Sequence, residues 1–397
     1  QSILISNDAG TGTLSSASNN AGFGYEVFDD LTSGDQNTGV GAVALTKLTT
    51  GGNNTAVGTA ALTTLTTGSE NTAVGDNALG SATTSTGNTA FGLHALLSTT
   101  TGDRNVALGW KAMSVNVDGD RGTAVGYAAL QNQEPSSASD TYNTAIGYAA
   151  GNAISTGTIN TLIGGLAGDA LTTGNSNIAL GYAALSADTT GDRSTALGFQ
   201  ALAVQNFTSN TDTYNTAVGY NAGVAVTTGI ENTLIGGEAG AALTDSDFNV
   251  VMGRQALSAD TLGSRSVAIG WGALRVQNFT SATNTYNTAV GMNAGTAVTT
   301  GTNNTLIGGL AGDGLTTGTH NVAVGYNSLS TDTAGKFSVA VGGGALEVQN
   351  FTTATDTFNT GVGWLAGNAV TTGVQNTLIG GLAGDALTVG YNNVALG

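Results

Sequence analysis

Asn54-Thr55-Ala56-Val57-Gly58 is the stretch on which the reading of this chain turns. The same five residues return as Asn71–Gly75, Asn215–Gly219 and Asn287–Gly291, with close variants such as Asn88–Gly92 between them. Counted by its closing glycine, each copy is a mark on a ruler that runs from Gly24 to Gly397. The ruler has 21 intervals, of which 17 are 17 residues long and four are 21. So strict a period marks a stacked repeat whose units bury apolar residues only against their neighbours, and it outranks local propensity in deciding the fold.

Positions within a rung are conveniently counted from the anchor glycine. Asn stands at −4 in 18 of 22 rungs, and Ser194, Ser266 and Ser338 are among the exceptions. Thr, Val or Ile usually occupies −3, Ala mostly −2, and an apolar residue −1. Side chains of an extended segment alternate faces, so −3 and −1 share one side and −2 looks to the other, where Ala suits close approach of a second backbone layer. After the glycine, Ala stands at +3 in 19 of the 21 continuing rungs, mostly followed by Leu or Gly. Thr-Thr-Gly, as at Thr49–Gly51 and Thr172–Gly174, supplies a turn. No 3.6-residue period is sustained, so helix is excluded.

The expected fold is therefore all-β: a parallel β-solenoid, or β-roll, of about 22 rungs of 17 or 21 residues, each with two short strands and two bends. Stacked amides should bond their copies above and below, as side-chain ladders do in cross-β stacks. That makes Asn54, Asn71, Asn88, Asn105, Asn143, Asn160, Asn177 and Asn215, with the bend glycines Gly58, Gly75 and Gly92, structural residues and not ligands.

A slower rhythm lies over the first. From Gly126 onward one long rung alternates with three short ones, a super-repeat of 72 residues. Three long rungs carry Val-Gln-Asn-Phe-Thr, at Val204–Thr208, Val276–Thr280 and Val348–Thr352; the first has Gln131-Asn132-Gln133-Glu134-Pro135. Four extra residues are expected to bulge outward, about 19 Å from one long rung to the next. Gln133, Glu134, Asn206, Phe207, Asn278, Phe279, Asn350 and Phe351 are thus candidate surface-contact residues. Leu162, Leu234, Leu306 and Leu378 replace Ala at −2 with the same period, and Asp188, Asp260 and Asp332 follow it too. The chain divides into residues 1–23, an N-terminal cap or junction in which Ile3–Ile5 reads as a first strand, regular rungs over 24–126, and super-repeats over 127–397, all in one continuous solenoid.

Composition narrows the function. Gly is 62 of 397 residues and Pro only one, which suits many tight turns and neither collagen nor a disordered linker. Nine basic residues against 26 acidic ones offer no cluster to neutralise phosphates, so a nucleic-acid partner is excluded. The net charge of −17 suits solubility or salty surroundings. No apolar run approaches the roughly 18 residues of a membrane helix, so no membrane insertion is expected of this segment. The absence of Cys excludes disulfides and thiolate metal sites.

Catalytic constellations are missing as well. His94 and His320 lie thirteen rungs apart, and no Ser has a His in reach. Asp188, Asp260 and Asp332 are each separated by about 19 Å, too far for a glycosidase pair. Asp118-Gly119-Asp120 lacks the remaining ligands of a calcium loop. No enzyme activity, cofactor or metal is expected. Arg104, Arg121, Arg193 and Arg265 all stand at −5 and read as members of weak surface ion pairs. Asn-Phe-Thr is formally a glycosylation acceptor, common by chance in a chain this rich in Asn and Thr. Trp110, Tyr127, Tyr148, Tyr182, Phe199, Tyr220, Trp271, Tyr326 and Trp364 directly follow anchor glycines, where they can shield a strand end or dock a sugar or a neighbouring chain.

The phrase carried by Asn54–Gly58, Asn105–Gly109 and Ser266–Gly270, with its return through Thr-Thr-Gly to Asn, resembles the head repeat of trimeric autotransporter adhesins (YadA-type heads) and the repeat regions of phage tail fibres. The resemblance spans 24–397, with rungs longer than the coils of those heads. It implies a left-handed β-roll, a homotrimer, and a place outside the cell, on a virion tail fibre or a bacterial surface. The expected function is a structural and adhesive fibre shaft that spaces and presents loops to a host-surface glycan or protein receptor. An ice-binding or carbohydrate-binding solenoid is the alternative, although the Thr columns are broken by Asp118, Asp245 and Leu262. A polysaccharide-degrading tailspike is a third reading, against which the missing carboxylate pair counts.

Overall fold

The computed structural model describes residues 3–5, 16–135 and 137–397, so most of the expected cap or junction over 1–23 lies outside the described residues. The fold is an all-β parallel solenoid of about 22 turns, with no helix among the described residues. Contacts divide the chain into two compact units, Gln1–Ser194 with Asn206–Asp212, and Thr195–Gln205 with Thr213–Gly397. In the first unit, three-residue strands from Ile3–Ile5 and Ala21–Phe23 to Ile178–Leu180 pair in parallel, each with the strand of the next rung. The second unit repeats the arrangement from Thr195–Leu197 to Val394–Leu396. Register is one rung per step, so Thr55, Ala56 and Val57 lie against Thr72, Ala73 and Val74.

Alternation then decides which residues are inside. The −2 side chains point inward, and Ala56, Ala73, Ala90 and Ala107 are fully buried. Val, Ile, Leu and Phe at −1 point outward instead, and Phe91, Ile146, Leu180 and Ile307 are exposed. The strand thus turns its smallest residue to the core and its β-branched residues to the surface.

Most 17-residue rungs hold one strand, not the two expected from their length; a second, two-residue strand occurs only in the rung before each long one. The opposite side, from +2 to +4, has a left-handed residue at every other position: Ala60 has φ 54° and Leu62 φ 51°. Such backbone costs roughly 1–2 kcal/mol per non-glycine residue. It is offset by bonds to both neighbours, because Ala60 N–H donates back to Ala42 O at 2.9 Å while Leu62 N–H donates forward to Ala78 O at 3.1 Å. The alternation also aims Leu62, and its equivalents Leu45 and Leu79, into the core, where they are fully buried.

Core volume is conserved over each super-repeat. Where Leu162 replaces Ala at −2, the +4 positions on either side, Gly151 and Gly168, have given up their Leu. A Cβ on Gly151 would lie 2.7 Å from Leu162 Cδ1, and one on Gly168 2.8 Å from Leu162 Cδ2. Leu306 bears the same relation to Gly295 and Gly312. One large side chain from the strand fills the room of two from the facing side, which keeps the interior close-packed.

The anchor glycines from Gly24 to Gly380 turn the chain at φ between 126° and 149°, a region that side chains disfavour. A Cβ on Gly291 would collide with the carbonyl of Gly308 in the next rung. Gly291→Ala is therefore expected to cost about 2–4 kcal/mol through strain and overlap. Gly237→Ala, where a Cβ meets nothing within 4 Å, should be near neutral. Chemical denaturation of the two variants checks this, and equal losses would contradict the close-approach account.

Candidate functional site

The long rungs are where the regular wall is interrupted. Their extra residues fold back instead of simply bulging. Thr211–Asp212 pairs with Gly191–Asp192 of the preceding rung, Thr283–Asn284 with Gly263–Ser264, and Thr355–Asp356 with Gly335–Lys336. Ahead of each added strand a phenylalanine turns inward, and Phe207, Phe279 and Phe351 are at most 8% exposed.

A carboxylate holds that turn. Asp260 is fully buried and receives Gly263 N–H and Phe279 N–H on Oδ1, both at 3.1 Å, and Gln277 Nε2 on Oδ2 at 2.6 Å. Gln277 Nε2 also reaches Ser266 Oγ at 3.0 Å, and its Oε1 accepts from Asn287 Nδ2 at 2.8 Å. Asp332, Gln349, Ser338 and Asn359 repeat the cluster. The serines at −4 are thus explained. A short side chain at Ser266 or Ser338 leaves room for the Gln that carries the polar column across the long rung.

Among the described residues no cation pairs with Asp332, and burial raises its pKa above the ordinary carboxylate value; the bonds from Phe351 N–H, Gln349, Gly335 N–H and Ala334 N–H pull the other way without cancelling it. The first long rung has a poorer version. Asn116 stands where the others have Asp and Gly122 where they have Ser, so Gln133 Nε2 is buried without a partner. Its Oε1 still accepts from Asn143 Nδ2 at 2.9 Å. Glu134 accepts Val117 N–H at 2.7 Å, and burial, with repulsion from Asp118, raises its pKa.

Placement of the expected residues falls into two groups. Asn54, Asn71, Asn88, Asn105, Asn143, Asn160 and Asn177 in the first unit, and Asn215 in the second, are all buried. Asn54 N–H and Nδ2 both donate to Asn37 Oδ1, at 2.9 and 3.1 Å, and Nδ2 also donates to Gly68 O at 3.0 Å. Asn71 and Asn160 repeat this set of bonds. The surface-contact set needs correction. Gln133, Phe207, Phe279 and Phe351 are buried, because the first joins the core polar column and the others plug the turn beside a buried Asp or its neighbours. Asn206 and Asn278 remain exposed and Asn350 half-exposed; each accepts a bond from Thr189, Thr261 or Thr333 of the preceding rung.

Two outward columns surround the long rungs. Residues at +1 form ring ladders: Trp110 and Tyr127 have centroids 4.9 Å apart, Tyr127 and Tyr148 5.1 Å, Phe199 and Tyr220 5.4 Å. The −5 column adds Tyr142, Tyr214, Tyr286 and Phe358, one exposed ring in every long rung. Sequence reasoning passed over these rings although they sit five residues before an anchor glycine, as the arginines do. Arg121 pairs with Asp140 of Ser139–Asp140, the strand added in the first long rung beside Gly119–Asp120, and Arg193 with Asp212 of Thr211–Asp212, neither partner being next in sequence. No group of three or more His, Asp or Glu that could hold a metal occurs among the described residues. No family model matches this chain, and no curated protein matches it.

The Asp332 cluster has a pH signature. A carboxyl whose folded pKa is raised contributes stability that is present below its unfolded value and is lost as pH rises through the folded one. Relative to Asp332→Asn, the wild-type protein should therefore lose stability as pH rises from about 4. Thermal unfolding of both proteins between pH 3.5 and 8 checks the sign; a difference that stays constant, or moves in favour of wild type, would contradict it.

Proposed function

We propose that this chain is a non-enzymatic structural and adhesive shaft that associates with copies of itself along the strand face and presents its other faces to a surface. The observation that carries this reading is the outward wall of apolar residues. Phe91, Leu108, Ile146 and Leu180 in one unit, and Met252 and Ile307 in the other, are each 38% exposed or more. The exposed rings at +1 widen the band, among them Trp110, Trp271 and Trp364. Contiguous apolar surface of this kind marks an association site. Its period is that of the rungs, so the partner that meets it column for column is one with the same period, a second copy in register.

Three copies is the number that the resemblance to trimeric adhesin heads and phage fibres supports. The same resemblance favours a place outside the cell, on a virion or a bacterial surface. Non-enzymatic function is supported by the use of Asp260 and Asp332, whose oxygens are engaged by structural donors.

Light scattering on the purified chain should give the mass of three copies. A monomer would overturn the association, and a dimer the trimer. Ile307→Glu with Val324→Glu, adjacent on the outward wall, should weaken association at least tenfold while leaving the spectrum of the folded β-solenoid unchanged.

A further inference from the structure

Of the three −5 arginines that face an added strand, Arg121, Arg193 and Arg265, the last has surroundings that differ from those of the other two. In the first super-repeat Arg121 is paired with Asp140, whose other oxygen accepts the Tyr142 hydroxyl at 2.9 Å, and the guanidinium lies 5.8 Å from the Tyr142 ring. In the next, Arg193 is paired with Asp212. In the third, Asn284 stands where those have Asp. It accepts a hydrogen bond from Arg265 Nη1 but brings no charge. Arg265 makes no ion pair among the described residues. Asp247, whose backbone carbonyl accepts Arg265 N–H, gives its side chain to Ile230 N–H at 2.9 Å.

Arg265 is exposed, and an exposed ring precedes and follows it in the column. Phe248 lies one rung before, its ring 5.0 Å from the guanidinium, and Tyr286 holds the equivalent position one rung after. The backbone under all three is fixed: each is left-handed, with φ between 51° and 63°, and Arg265 N–H is bonded to Asp247 O at 3.0 Å. A cation with most of its five donors unengaged thus stands between two aromatic rings about two rungs, or roughly 9–10 Å, apart.

We propose that Phe248, Arg265 and Tyr286 form a binding site for a carboxylated sugar, a uronic-acid unit of an acidic polysaccharide. A guanidinium fork matches a carboxylate in two parallel hydrogen bonds. Aromatic faces take the C–H face of a pyranose while leaving its hydroxyls in water, as amphipathic rings do at wet interfaces. Two rings flanking one cation suit an oligosaccharide whose charged unit is flanked by further sugar rings. An acidic peptide would use the cation and leave both rings uncovered. The site is independent of self-association, since its three residues belong to one chain.

Calorimetric titration of the full chain with hexagalacturonate, its methyl ester and hexaglutamate tests the assignment. Hexagalacturonate should bind at one site per chain, with the ester and hexaglutamate at least tenfold weaker. Arg265→Gln should abolish binding. Asn284→Asp, which restores the ion pair of the sister repeats, should weaken it at least tenfold with unchanged thermal unfolding. Conversely, Asp140→Asn frees Arg121 beside Tyr142 but leaves Arg104 where the third repeat has Phe248, so the stoichiometry should stay at one. Absence of binding to the wild-type chain, indifference to Asn284→Asp, a stoichiometry of two in Asp140→Asn, or equal binding of hexaglutamate would each overturn the proposal.

Discussion

Each buried amide of the asparagine column makes several hydrogen bonds at once, and the rest of the solenoid is arranged to permit this. Through Oδ1, Asn54 accepts from both the backbone N–H and the Nδ2 of Asn71, while its own Nδ2 reaches Asn37 and the carbonyl of Gly68. A buried polar group left without such partners costs about 1–3 kcal/mol, so the column holds only if successive rungs stay at hydrogen-bonding distance. That distance in turn dictates the neighbours. The anchor glycines must bend with no Cβ between their carbonyls, and the strand must turn Ala inward, because the core between strand and facing turn is thin.

Thinness makes the interior intolerant of change, and the super-repeat is the pattern that satisfies it. Leu at −2 is matched by Gly at +4 above and below, and a buried Asp is matched by a Gln one rung on. The +7 column shows the coupling well: Asp260, Gln277, Val298 and Leu315 follow one another, all fully buried, and Asp332, Gln349 and Val370 begin the order again. Two polar rungs and two apolar rungs alternate in one core. A misaligned stack would set the Asp260 carboxylate against Val or Leu, an uncompensated charge in an apolar site. Register among near-identical rungs is thereby specified from inside.

Much of this was legible in the sequence and some was not, for physical reasons. The period required stacking, and Asn at −4 required a ladder, because both follow from identity of spacing. The missing second strand was hidden because Leu62 and its equivalents adopt left-handed backbone against their own preference, held there by bonds to both neighbouring rungs. Asn-Phe-Thr reads as an exposed loop by composition; only the buried Asp260 beneath it shows that Phe279 is a plug. The Asp–Gln coupling was available, since the partners lie 17 residues apart. It emerges when positions are counted forward from the anchor glycine, where the facing wall is encoded, and not only backward along the strand.

A core so constrained leaves the outward columns free to vary, and repetition makes each super-repeat an internal control for the others. At −5 the successive residues are as different as Arg265, Tyr286, Asn303, His320 and Phe337, yet all share the same left-handed backbone with φ between 51° and 63°. Stability therefore says little about which side chain stands there. Exchange of an Asp for Asn284 leaves the added strand paired as in the sister repeats and alters only the charge facing the neighbouring arginine. Differences between repeats that the core does not require are the places where this surface has been shaped by what it meets.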